Sequence, residues 1–132
     1  MPNVSLDNAQ QIVARGRAAA QKAGLNAVFA VLDTGANLVT FSRMDGAWLA
    51  SNELALAKAR ASVMFQMPSE ALNAPLQVGQ PHPHFDHIHA GGLLLMGGGI
   101  PLFDPEDTLI GALGVSGGTP EQDTALARVA AA

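Results

Sequence analysis

Ala27-Val-Phe-Ala-Val-Leu-Asp-Thr-Gly-Ala-Asn-Leu-Val-Thr-Phe-Ser-Arg43 is the stretch from which the fold is read. Ala27 to Leu32 is a short apolar run and reads as a buried strand. Asp33-Thr-Gly-Ala36 supplies turn chemistry, because an Asp side chain accepts backbone N–H groups and Gly takes conformations closed to other residues. Asn37 to Arg43 then returns as a second strand. A connection this short makes a hairpin, so the pair is antiparallel.

Working outward, Ser5 is a good N-cap for a first helix. Leu6, Ala9, Ile12, Val13, Gly16 and Ala20 fall on one of its faces, and Gly24 is a natural stop. After the hairpin, Asp45 or Ser51 is expected to cap a helix running to about Met64. Met67-Pro68-Ser69 ends that helix, and Ser69 to Leu72 forms one further turn. The chain from Asn73 to Asp86 is irregular, with Pro75, Gly79, Pro81 and Pro83. Leu93 to Met96 reads as a strand, and Ile100 to Phe103 as another after the glycine run. Asp104 to Asp107 is a turn and Thr108 to Val115 a last strand, with Gly111 and Gly114 where something packs closely. Thr119, Pro120 and Gln122 form a strong helix start of capping-box type, and the final helix runs to the Ala-rich end. Residues 1–132 thus read as a single α+β domain. The order is α-β-β-α-loop-β-β-β-α, with five antiparallel strands flanked by helices.

Composition narrows the partners. The 132 residues are 48% hydrophobic and only 14% charged, which raises the expectation that another copy of the chain covers part of the surface. A net charge of −4, with seven scattered basic residues, argues against nucleic acid. No apolar run approaches the roughly 20 residues of a membrane span. The N-terminus shows no basic-then-apolar leader, so the cytoplasm is the expected location. The absence of cysteine excludes disulfides and thiolate chemistry.

The unusual chemistry lies in Gln80-Pro-His-Pro-His-Phe-Asp-His-Ile-His89, which holds all four histidines of the chain. His87 and His89, one residue apart, share a face on an extended chain, with Cα atoms roughly 6.5–7 Å apart. Two such imidazoles can bind one divalent ion or move a proton. His82 and His84 repeat the spacing between prolines, and Asp86 can add a carboxylate or orient a ligand. All four histidines are therefore candidate metal ligands, and His87 and His89 candidate acid–base groups. A solvated His/Pro loop at an oligomer contact is the plain alternative. Gly97-Gly98-Gly99 lacks the sequence of a phosphate loop. It reads first as a bend admitting close backbone approach, and second as a pocket wall in which Gly98 and Gly99 meet a ligand.

Asp33-Thr-Gly-Ala-Asn-Leu-Val39, Arg43-Met-Asp-Gly-Ala47, Ala57-Lys-Ala59, Gly91-Gly92, Gly98-Gly-Ile-Pro-Leu102 and Ile110-Gly-Ala-Leu-Gly-Val-Ser-Gly-Gly-Thr-Pro-Glu-Gln-Asp123 together resemble the HbpS-like family, which includes GlcG and DUF336 proteins and the C-terminal domain of PduO-type proteins. The resemblance runs from about Ser5 to the C-terminus. It implies a five-stranded antiparallel sheet flanked by helices, in homo-oligomers from dimer to octamer. Arg43, Asp45 and Lys58 lie in these segments and are candidate ligand-binding residues, the two cations suited to hold a carboxylate, with a surface pair of little energetic worth as the plain alternative. Resemblance to a family with haem-binding members makes haem or another tetrapyrrole the leading ligand, with a divalent metal ion the other cofactor expected. Met44, Met64, Met67 and Phe65 are candidates to line an apolar haem slot, with ordinary core packing as the plainer reading.

Three functions remain open. The first is a small-molecule-binding domain, haem- or metal-linked. The second is a small catabolic enzyme of lyase, isomerase or hydrolase type. It would act on a carboxylated or hydroxy/keto substrate, with Arg43 or Lys58 binding the acid and His87 or His89 moving a proton. The third is an accessory structural subunit.

Overall fold

A computed structural model describes residues 2–72 and 94–132. The elements are α1 (Leu6–Ala23), β1 (Val28–Leu32), β2 (Leu38–Arg43), α2 (Ala50–Phe65), a single 3₁₀ turn (Ser69–Leu72), β3 (Gly99–Phe103), β4 (Leu109–Ser116) and α3 (Pro120–Ala131). Among the described residues the sheet has four strands in the order β2-β1-β4-β3, all antiparallel. The α+β class and the antiparallel sheet are as expected.

The fifth strand is a correction. Leu94 to Met96 are not in a strand, and Leu93 lies outside the described residues. Ser69 Oγ donates to the Met96 carbonyl, at 2.5 Å, and accepts the Gly99 N–H, at 2.9 Å. Gly98 turns the chain with φ 127°, so pairing with β4 begins only at Gly99.

Both hairpins are closed by the same local device. Asp33 Oδ1 accepts the N–H groups of Gly35 and Asn37, each at 2.9 Å. Asp104 Oδ1 accepts those of Glu106 and Thr108. The fourth residue of each turn, Ala36 or Asp107, takes a left-handed φ of 63°. Each turn thus satisfies much of its own backbone, and in the first Asn3 Oδ1 also accepts the Thr34 N–H at 2.9 Å.

Helix ends follow the local signals in two cases of three. Ser5 caps α1 by accepting the Asn8 N–H, and left-handed Gly24 ends it. Thr119 and Gln122 form a complete capping box on α3, with Pro120 in the first turn. Helix α2 departs from expectation, because neither Asp45 nor Ser51 caps it. Its N-cap is Leu49, with no side-chain cap. The Ser51 and Asn52 N–H groups instead bond the carbonyls of Trp48 and Leu49 in a tight preceding turn.

The helices sandwich the sheet. Phe29, Val31, Leu113 and Val115 pack with Ile12, Val13 and Ala20 of α1 and with Leu126, Ala127 and Ala130 of α3. On the opposite face, Leu32 and Ala112 pack with Ala59 and Val63 of α2, while Val28 and Ala30 pack with Ala55. Helix α2 sits on glycine. A Cβ on Gly114 would strike the Ala55 carbonyl, and one on Gly99 would strike the Lys58 carbonyl. Gly99 and Gly114 are cross-strand partners, so they form one floor under the helix backbone. Without side chains there, α2 approaches closely enough to bury the polar residues Lys58 and Ser62. No described helix is long and apolar enough to cross a membrane.

Candidate functional site

Three of the residues singled out from the sequence come together at the end of the sheet. Lys58, projecting from α2, is buried against Gly98 and the first turn of α3. Its ammonium donates to the Val115 carbonyl at 3.0 Å and to Asp123 Oδ2 at 2.9 Å. The other carboxylate oxygen of Asp123 accepts the Gly118 N–H at 2.8 Å. Gly98 closes over this pair. A Cβ there would lie 3.0 Å from Lys58 Nζ and 3.0 Å from Asp123 Cβ. The Gly98 carbonyl in turn accepts the Val115 N–H at 2.9 Å. The positive end of the α3 dipole favours the Asp123 carboxylate in that first turn.

Glycine at 97 to 99 therefore serves close packing. Gly97 abuts Thr124 and Pro120, Gly98 abuts Lys58 and Asp123, and Gly99 abuts Lys58 and Ser62. Two hydroxyls bordering the run, Ser62 Oγ and Thr124 Oγ1, are buried and find no hydrogen-bond partner among the described residues. A shallow hollow of about 270 Å³ opens beside Gly97, lined by Glu70, Leu95, Met96, Pro120 and Glu121.

Arg43 and Asp45 are placed elsewhere. Arg43 ends β2 opposite Val28, and Val28 lies opposite Ser116, so Arg43 shares the glycine end of the sheet but stands on its other edge. The Arg43–Lys58 pairing expected to hold a carboxylate is not formed, because the Lys58 ammonium is sealed against Asp123. Arg43 and Asp45 line a hollow of about 420 Å³ with Arg17, Gln21, Asn26, Ser42 and Met44.

The expected apolar slot is divided. Met44 packs toward the α1 face, and its Sδ accepts the Ala27 N–H at 3.4 Å. Met64 and Met67 lie exposed at the end of α2, which covers the opposite face. His82, His84, His87 and His89, with Asp86, lie outside the described residues, as do Gly91 and Gly92. Among the described residues no group of three metal-ligating side chains gathers.

Asp123 is the residue that sequence reasoning missed. It was visible in Thr119-Pro-Glu-Gln-Asp123, yet its partner is 65 positions away and no spacing rule connects them.

Comparison with known proteins agrees with this architecture. An uncharacterized 15.0 kDa protein from the dhaT-dhaS intergenic region of Citrobacter freundii is 31% identical over 127 residues, covering 96% of this chain and 89% of its relative. The crystal structure of Klebsiella pneumoniae protein ORFY superposes with a TM-score of 0.94 at 32% identity, over 98% of this chain and 89% of that one. The PduOC:Heme complex superposes with a TM-score of 0.91 at 30% identity, over 97% and 92%. The model of a family described as haem degrading protein HbpS-like matches residues 4–132, so the chain belongs to the HbpS-like family.

Proposed function

We propose that this chain is a tetrapyrrole-binding domain whose ligand is haem, with the segment His82–His89 supplying the iron ligand. The observation that carries this reading is the superposition on the PduOC:Heme complex at 30% identity over nearly the whole chain. The described residues fit haem in part. Met64 and Met67, 46% and 38% exposed, offer thioether surface just before the chain enters the histidine-bearing segment. They contain no histidine, so the axial imidazole falls to His82, His84, His87 or His89. The test is titration of the ligand-free protein with haem. A Soret band saturating at stoichiometric haem, shifted or lost in one of the four His→Ala variants, supports the reading. No spectral change at stoichiometric haem overturns it.

The spacing of His87 and His89 favours a second reading, in which the same imidazoles bind a divalent ion and the substrate is a compact acid. Native mass spectrometry with metal analysis separates the two by the bound mass.

We further propose that the domain works as a homo-oligomer. Trp48 and Leu49 are 82% and 79% exposed. Leu38 and Phe41 stand exposed on β2, opposite Leu32 and Ala30, which face α2. Apolar surface of this kind is commonly covered by a partner.

A further inference from the structure

We propose that the hollow between α1 and the end of β2 is a second binding site, taking a small carboxylate held by Arg17 and Arg43. This goes beyond the tetrapyrrole reading and uses none of the histidines. The hollow, about 420 Å³, has the volume of a small-ligand pocket. Its polar lining comes from three separate places: Arg17 and Gln21 one turn apart on α1, Asn26 before β1, and Ser42, Arg43 and Asp45 at the end of β2.

The charge arrangement carries the argument. Of the seven basic residues, Lys58 is paired with Asp123, Arg128 with Glu70, Arg15 donates to the Ala130 carbonyl, and Lys22 and Arg60 do not line the hollow. Among the described residues Arg17 and Arg43 make no ion pair or hydrogen bond, although Asp45 lines the same hollow. Two guanidinium groups and one carboxylate leave a local excess of one positive charge on a chain of net charge −4. Asp45 offsets one of the two guanidinium charges, and an anion seated in the hollow offsets the other. Guanidinium suits a planar carboxylate, which it meets with two parallel hydrogen bonds. Ser42, Asn26 and Gln21 add neutral donors.

The test titrates the haem-free protein with succinate, and separately with inorganic phosphate, at constant ionic strength. Backbone amide shifts of Gln21, Ser42 and Asp45 are followed by NMR. Saturable shifts with succinate are expected, weakened about tenfold or more by Arg17→Gln and by Arg43→Gln. Arg43→Lys keeps the charge and loses the paired hydrogen bonds, so it is expected to weaken binding as well. Arg60→Gln, on exposed surface of α2, leaves binding unchanged. Succinate binding unaffected by Arg17→Gln and Arg43→Gln, phosphate binding without succinate binding, or no saturable shift with either anion overturns the proposal. Each of those results leaves the haem titration untouched.

Discussion

Lys58 Nζ lies 2.9 Å from Asp123 Oδ2, with both side chains 2% exposed. The contact ties α2 to the first turn of α3 across the end of β4. Each charge is also hydrogen-bonded to a second partner, the Val115 carbonyl and the Gly118 N–H. Such a pair is fragile to one-sided change. Losing one partner leaves a buried charge uncompensated, whereas replacing both with apolar groups of similar volume removes the desolvation cost as well. Lys58→Ala and Asp123→Ala are therefore each expected to lower unfolding free energy by about 3–5 kcal/mol in urea. The double variant Lys58→Met/Asp123→Leu is expected to recover much of that loss. A single variant costing less than about 1 kcal/mol would show that the pair does not hold the two helices together.

The floor beneath α2 gives a second expectation. Gly114→Ala drives a methyl group into the Ala55 carbonyl, so it is expected to destabilise by about 1–3 kcal/mol or more. Gly24 has φ 72° and open space around its Cβ position, so Gly24→Ala carries only the backbone cost, about 1–2 kcal/mol. Thermal melts of the two variants separate packing from backbone conformation. A Gly114→Ala variant melting at the temperature of the parent would mean that α2 can lift off the sheet at little cost.

Asp33 titrates low. The Asn37 N–H donating to its carboxylate is the main cause, opposed by slight desolvation and aided by the Asn37 side chain and the Gly35 N–H. A folded-state pKa below the unfolded value near 3.9 means that the ionised carboxylate stabilises the fold above about pH 4. That contribution fades as pH falls through the folded pKa. Because the group is largely exposed, the effect is expected to stay within about 1 kcal/mol. In chemical unfolding, Asp33→Asn should fall below the parent at pH 6 and converge with it toward pH 2. A gap that persists unchanged to pH 2 would assign the difference to the turn's shape instead of its charge.

Trp48 and Leu49 flank the start of α2 with their side chains in solvent. If a second copy covers them, Trp48→Glu/Leu49→Glu is expected to reduce the particle mass in light scattering to that of one chain, 13.6 kDa. A parent protein already at that mass would remove the self-association reading.

The parts of the fold legible beforehand were those settled within a few residues. Asp33 and Asp104 close their turns with their own neighbours' N–H groups, and Ser5 and Thr119 cap helices three residues away. Where local signals competed, reading failed. Asp45 and Ser51 both resembled caps for α2, yet the turn carrying Trp48 and Leu49 starts that helix without a side chain. Leu93 to Met96 had a strand's composition. Ser69, brought from the 3₁₀ turn, takes the Met96 carbonyl and the Gly99 N–H, and strand pairing waits until Gly99.

The chain alone determined most of its element types and its antiparallel sheet, because periodicity, turn chemistry and caps act over short separations. Only tertiary structure decided which charges are sealed and which are open. Lys58 and Arg43 look equally available in sequence. The glycine floor of Gly98, Gly99 and Gly114 draws α2 down until the Lys58 ammonium meets Asp123, while Arg43 remains at the far edge of the sheet beside Arg17. Burial in a low-dielectric interior forces a charge to find its counter-charge, and a surface hollow leaves it available to an anion from solution.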